Sequence, residues 1–232
     1  KWTETEPEFE QPENLAETLL QVLGGPNVCS REYIYRAYDS EVQGNTILRP
    51  GEAGAGVTQP LEGSDAAVAL SVDGNPRYGR IDPYWGGATA VAEAMRNVAC
   101  VGAVPQALTD CLNYGNPEKP EQFWEFRQGV RGVADAANNL WLKGYENTPT
   151  PIISGNVSLY NESAGGTSVA PSAIIACVGT MPDYSKAVTA QFKHEGDAIY
   201  LLGARKNELG GSAYYHALGL GLGANVPQAE WE

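Results

Sequence analysis

Between residues 120 and 141 the apolar side chains Phe123, Phe126, Val130, Val133, Ala137, Leu140 and Trp141 recur at steps of three and four. An α-helix turns once every ~3.6 residues, so this spacing lines one helix face. Pro120 suits a first turn, where an N–H would have no intrahelical partner. The aromatic stripe is expected to pack into a core rather than to form a cofactor platform. What flanks this helix restricts the fold further. Short apolar runs that read as strands precede it at residues 66–72 and 106–109 and follow it at 151–154, 172–179 and 198–203. A second helix opens at Gly86-Gly87, keeps Ala88, Val91, Ala92, Met95, Val98 and Ala99 on one face, and stops by Gly102. Alternation of this kind implies α/β to α+β layers, with helices covering at least one face of a sheet.

The ends are less regular. Leu15, Leu19, Val22 and Leu23 at helical spacing run into Gly24-Gly25-Pro26, a helix stop. Residues 31–38 suit either helix or strand. Glycine and proline dominate 43–63, leaving a loop with a short strand at Thr46–Leu48. Asp73-Gly74-Asn75-Pro76 reads as a turn, residues 113–117 and 142–149 as loops, and 212–218 as a last short helix. No internal repeat is visible.

A chain of 232 residues, 43% of them hydrophobic, holds one domain or one domain and part of another. The formal charge of -13 opposes binding to a phosphate backbone, which requires basic surface. Nucleic acid is therefore excluded as a partner. Glu4, Glu6, Glu8, Glu10 and Glu13 against Lys1 read as a solvated lead-in. No apolar run approaches the roughly 18 to 20 residues that span a membrane, and no signal peptide is read. Cys29, Cys100, Cys111 and Cys177 form no C-x-x-C pair and only His194 and His216 accompany them, which fits a reducing cytoplasm better than a thiolate metal site or a disulfide framework. The sequons at Asn156 and Asn161 are read as chance matches.

Chemistry concentrates in a few places. A Walker P-loop is absent, and Gly219-Leu220-Gly221-Leu222-Gly223-Ala224, though it fits G-x-G-x-x-A, follows a helical segment and reads as a helix stop. Asp110 stands where the 106–109 strand is expected to end, and Gly155-Asn156-Val157-Ser158 follow the 151–154 strand. Ligands of open α/β sheets collect beyond the carboxyl ends of strands. Gly155 would admit a nucleotide to the backbone, the Asn156 amide oxygen suits Mg²⁺, and the Ser158 hydroxyl can bind a phosphate or amide oxygen. The alternative is that Asp110 and Asn156 merely satisfy loop backbone groups. Glu208-Leu209-Gly210-Gly211-Ser212 offers either an anion cradle or an ordinary N-cap at Ser212. No Ser/His/Asp or Cys/His constellation can be assembled.

The strings Asp73-Gly74-Asn75-Pro76-Arg77-Tyr78, Thr109-Asp110-Cys111-Leu112-Asn113-Tyr114-Gly115-Asn116-Pro117 and Ser154-Gly155-Asn156-Val157-Ser158-Leu159-Tyr160, with Glu208 to Ser212 and Gln43-Gly44-Asn45-Thr46, resemble phosphoribosylformylglycinamidine synthase. This resemblance implies the second half of the synthase subunit: an aminoimidazole-ribonucleotide-synthetase-like N-terminal α/β domain over 15–165, behind the 1–14 lead-in, and an incomplete C-terminal α+β domain over 166–232. It implies an ATP-dependent carbon–nitrogen ligase of purine biosynthesis that converts formylglycinamide ribonucleotide to the amidine. Asp110 and Gly155 would contact ATP, Asn156 would ligate Mg²⁺ and Ser158 would touch the ribonucleotide. The catalytic base and remaining metal ligands would come from the first half, and ammonia from a glutaminase, either a separate subunit joined through a small bridging subunit or a fused domain. A start at Lys1 and a stop soon after Ala224 suggest an excised fragment, inactive alone. Two other outcomes stay open: a non-catalytic half that holds a structural nucleotide or braces its partner, and another ATP-using enzyme of the superfamily.

Overall fold

The computed structural model describes residues 2–231, so Lys1 of the lead-in and Glu232 lie outside the described residues. Among the described residues six strands form one sheet: β1 (Thr46–Leu48), β2 (Gly56–Thr58), β3 (Ala67–Asp73), β4 (Val104–Asn113), β5 (Ile152–Ser158) and β6 (Ser172–Met181), in the spatial order β1-β2-β3-β6-β4-β5. Only β4 and β5 run parallel; the other neighbours are antiparallel. The helices are α1 (Leu15–Gly24), α2 (Glu32–Tyr35), α3 (Pro76–Ile81), α4 (Pro83–Cys100), α5 (Pro120–Asn139) and α6 (Ala213–Ala217).

Alternation along the central strands sorts the side chains. Ala67, Ala69 and Ser71 on β3 and Ala173, Ile175 and Cys177 on β6 point to one face, where α4 packs with Ala88, Val91, Ala94 and Val98 buried. These small side chains bring helix and sheet close together. The opposite face is open: Leu70 is 52% and Val72 63% exposed, with Ile174 beside them.

Two helix starts follow one local logic. Asn75 caps α3 by accepting from the Arg77 N–H at 3.0 Å, and Asp82 caps α4 by accepting from Tyr84 and Trp85 at 3.0 and 3.2 Å, each with proline directly behind. The expected turn at 73–76 thus opens a helix, and α4 begins three residues before the glycines that were read as its start. A polar cap followed by Pro at N1 is a start signal in its own right.

Glycine also sets the seam between α4 and α5. A Cβ on Gly132 would overlap the Tyr84 carbonyl oxygen and stand 2.8 Å from its carbon, while Gly87 faces the Gly129 carbonyl. The stripe expected to be core is therefore only partly so. Val133 and Ala137 are buried with Gly129, Gly132 and Ala136, whereas Phe123, Val130 and Trp141 are exposed. Main chains this close leave no room for aromatic rings at the seam.

β6 follows the boundary expected between 165 and 166 and lies between β3 and β4 in the sheet. Two further expectations change. Residues 198–203 form no strand: Ile199, Tyr200, Leu201 and Leu202 are exposed and pair with no other strand among the described residues. A strand exists only through a neighbour's hydrogen bonds, which a local sequence cannot supply. The lead-in is not simply solvated, because Glu6 accepts hydrogen bonds from Tyr215 Oη at 2.8 Å and Ala224 N at 2.6 Å, and from Asn225 N as well. Phe9 packs edge-on against Tyr215 at 5.7 Å. The Gly219 to Ala224 run is the loop that receives this carboxylate; Gly219, Gly221 and Gly223 all have positive φ and no helix follows, so it has none of the dinucleotide geometry.

Candidate functional site

Asp110 and Gly155 do not lie past strand ends, as their flanking polarity suggested, but inside β4 and β5. Polar residues continue both ladders because each backbone is held by its partners: β4 is hydrogen-bonded to β6 on one side and to β5 on the other. The register sets Asp110 beside Gly155, Cys111 beside Asn156 and Asn113 beside Ser158.

The fold brings Asp110 and Gly155 into direct contact. A Cβ on Gly155 would stand 2.5 Å from Asp110 Oδ1 and 2.6 Å from both Cγ and Oδ2. The carboxylate lies over the bare glycine backbone, and burial raises its pKa above the ordinary aspartate value. On the same side, Tyr114 is fully buried against α5, its ring 5.3 Å from Phe126 in edge contact. Gly129 makes room for it, since a Cβ there would lie 2.8 Å from Tyr114 Cζ. Burial, with Glu125 and Asp110 nearby, raises the Tyr114 pKa and keeps the phenol neutral.

Asn156 and Ser158 belong to the other side. Asp110 pairs with the inward Ile175, whereas Cys111 and Asn113, the neighbours of Asn156 and Ser158, pair with Ile174 and Ser172 on the open face. The four residues therefore divide into two pairs across the thickness of the sheet at its β5 edge. Asn156 is exposed and Ser158 half-buried.

The turn after β5 escaped the sequence reading beyond its polarity. Asn161 donates through Nδ2 to the carbonyls of Tyr114 at 3.0 Å and Ser158 at 2.8 Å, and accepts from Ser158 Oγ at 3.1 Å. Tyr160, between them, has φ 59°, a left-handed conformation that is costly for a bulky side chain and is held here by these bonds. Nearby, Lys119 pairs with Glu162 at 2.7 Å. The only sequence signal was Asn161 three residues beyond a candidate serine.

A second polar group sits under α4. Asp73 accepts from Asn97 at 2.8 Å and has Oδ2 buried without a partner, and burial raises the pKa of both Asp73 and Glu93, more weakly opposed by Arg96. A cleft of about 560 Å³ opens near Trp141, Leu142 and Trp231, at the C-terminal end of α5 and the start of β4, away from Asp110. Among the described residues no three His, Cys, Asp or Glu side chains cluster as a metal site, and no helix is long and apolar enough to cross a membrane.

Comparison with known proteins places this architecture. Residues 52–181, which run from ahead of β2 through the end of β6, match the family described as AIR synthase related protein, N-terminal domain, and the chain belongs to that family. Proteins named PurL are among its relatives. The phosphoribosylformylglycinamidine synthase subunit PurL of Methanothrix thermoacetophila is 64% identical over 222 residues, covering 96% of this chain and 29% of that protein. The structure of T. maritima PurL complexed with ATP is 25% identical at a TM-score of 0.55, covering 81% of this chain and 27% of that one. T. maritima PurL complexed with FGAR is 27% identical at 0.55, covering 68% and 24%. The chain spans less than a third of the length of these relatives.

Proposed function

We propose that this chain forms one wall of the ATP and substrate site of a phosphoribosylformylglycinamidine synthase, an ATP-dependent carbon–nitrogen ligase of purine biosynthesis. The observation that carries this reading is 64% identity across 96% of the chain to a subunit of that name. The PurL structures complexed with ATP and with FGAR support the choice of ligands.

In this reaction the glycinamide carbonyl oxygen of formylglycinamide ribonucleotide, not the formyl oxygen, attacks the γ-phosphoryl group of ATP and ADP departs. Ammonia then displaces inorganic phosphate to give the amidine. Phosphorylation turns an amide oxygen, a poor leaving group, into a good one. Asp110 and Gly155 contact ATP; Ser158 contacts the ribonucleotide. Asn156 offers a hard, neutral and exposed amide oxygen, which fits Mg²⁺ and would hold it as this chain's one ligand beside those of the first half. When bound there, Mg²⁺ would offset charge that builds on the transferring phosphoryl group. Because Asp110 and Asn156 occupy opposite faces, ATP reaches both only by lying across the outer edge of β5. The chain's own work is to bind and orient. The base and further metal ligands belong to a first half of the synthase, and the ammonia to a glutaminase subunit with a small bridging subunit, or to a fused glutaminase domain, in the cytoplasm.

The test is Asn156→Ala in the full-length protein, with ATP- and ammonia-dependent amidine formation followed against Mg²⁺ concentration. The metal role predicts a higher Mg²⁺ requirement; an unchanged requirement and turnover would remove it. ADP that persists through purification and never exchanges during turnover would assign the chain a structural nucleotide instead.

A further inference from the structure

Asn161 determines which way the Ser158 hydroxyl points its proton, and with it the chemistry Ser158 can recognise. The amide of Asn161 meets three groups. Two are main-chain carbonyl oxygens, of Tyr114 and of Ser158 itself, at 3.0 and 2.8 Å; the third is Ser158 Oγ at 3.1 Å. A carbonyl oxygen can only accept, so the NH₂ end must face the two carbonyls. The reversed amide would set Oδ1 against two other oxygens, so its orientation is fixed by its surroundings. Oδ1, which also only accepts, then faces the serine. The one hydrogen bond open to that pair runs from the Ser158 hydroxyl to Asn161.

The main chain reinforces this arrangement. Tyr114 N donates to the Ser158 carbonyl at 3.0 Å, Asn161 N to the Tyr114 carbonyl at 3.2 Å, and Tyr160 N to the Gly115 carbonyl at 3.0 Å. The ends of β4 and β5 are stitched together through Asn161, so the amide is held by both strands and is not a freely turning surface group.

We propose that Asn161 is a positioning residue that makes Ser158 an acceptor toward bound substrate, so that Ser158 selects a hydrogen-bond donor, an N–H or O–H of the amide or ribose portion, and not a phosphate oxygen. This rests on the reading that Ser158 touches the ribonucleotide. A hydroxyl has one proton and two lone pairs. With its proton committed to Asn161, Ser158 Oγ offers only lone pairs. A phosphate oxygen, which likewise only accepts, would meet lone pair against lone pair, or would have to draw the proton away and leave Asn161 Oδ1 unpaired.

The experiment uses the full-length protein, formylglycinamide ribonucleotide, and the same compound without its 5′-phosphate, with dissociation constants measured by calorimetry or by competition. Ser158→Ala should weaken both ligands by the same factor, about 3- to 10-fold for one lost hydrogen bond. A loss seen with the phosphorylated ligand and absent with the dephosphorylated one overturns the inference while leaving the Ser158 contact in place. No loss with either removes the contact and the inference together. Asn161→Ala supplies the readout that a merely structural role would not move. If Asn161 acts through Ser158, the double variant binds no more weakly than the weaker single variant, whereas multiplying losses mean that the two residues act independently.

Discussion

Replacing Gly155 by alanine tests the contact on which the proposed nucleotide wall depends. The new Cβ would stand 2.5 to 2.6 Å from three atoms of the Asp110 carboxyl group, where ordinary contact begins near 3.4 Å, so the carboxylate must retreat by about 0.9 Å. Overpacking of this kind costs about 1–3 kcal/mol. Alanine in a strand recovers about 0.5–1 kcal/mol relative to glycine, leaving a net loss of about 0–2.5 kcal/mol. The diagnostic is the double variant. With Asp110→Ala in place the three nearest obstructing atoms are gone, so Gly155→Ala should become neutral or slightly stabilising, and the two substitutions should couple by about 1–3 kcal/mol. Urea unfolding of the four proteins, followed by tryptophan fluorescence, measures this directly. ATP titrations of the same set should show Gly155→Ala weakening binding about as much as Asp110→Ala, since both remove the carboxylate from its place. Stability costs that add to within about 0.5 kcal/mol would refute the placement of the carboxylate over Gly155.

Gly132→Ala should destabilise by about 3 kcal/mol or more in the same unfolding assay, because its Cβ meets the Tyr84 main chain of α4 rather than a movable side chain; Val130→Ala, on the exposed side of α5, should cost under about 1 kcal/mol. Burial raises the folded-state pKa of Asp73 and Glu93, so each favours folding most while protonated, and that contribution is lost as pH rises from the ordinary carboxylate range through the raised values. Asp73→Asn with Glu93→Gln should therefore stabilise the chain at pH 7 relative to the parent, with the advantage shrinking toward pH 4; an equal effect at both pH values in denaturant melts would contradict this. Glu6→Ala should release the lead-in from Tyr215, Ala224 and Asn225, at a cost of about 1.5–3 kcal/mol for a charged hydrogen-bond acceptor, and limited proteolysis should then cut near Phe9 faster than in the parent.

Elements whose signal is local were legible. The periodicity of α5, the apolar runs of β3 and β6, and the polar residues around positions 110 and 155 to 158 all mark themselves within a few residues. The strand limits did not, because Asp110 and Asn156 sit in regular ladders maintained by β6 and β4, and a polar residue in a paired strand looks in sequence like the loop beyond it. Phe123 and Trp141 read as core by spacing and proved exposed, since Gly87 and Gly132 let α4 and α5 approach so closely that small residues fill the seam. Residues 198–203 have strand composition and no strand partner.

By itself, the sequence determined the layer type, the two long helices and, through strings of chemically committed residues, the kinship, because propensity, capping and hydrophobic period act over one or two turns of chain; the site residues it offered only as candidates. Only the tertiary structure decided that Asp110 and Gly155 share one face while Asn156 and Ser158 share the other, and that Asn161 governs the Ser158 proton. Strand register and hydrogen-bond direction depend on partners that lie 45 residues apart for Asp110 and Gly155 and 47 apart for Tyr114 and Asn161. Side chains alternate along a strand, so a shift of one residue in that pairing would have exchanged the faces.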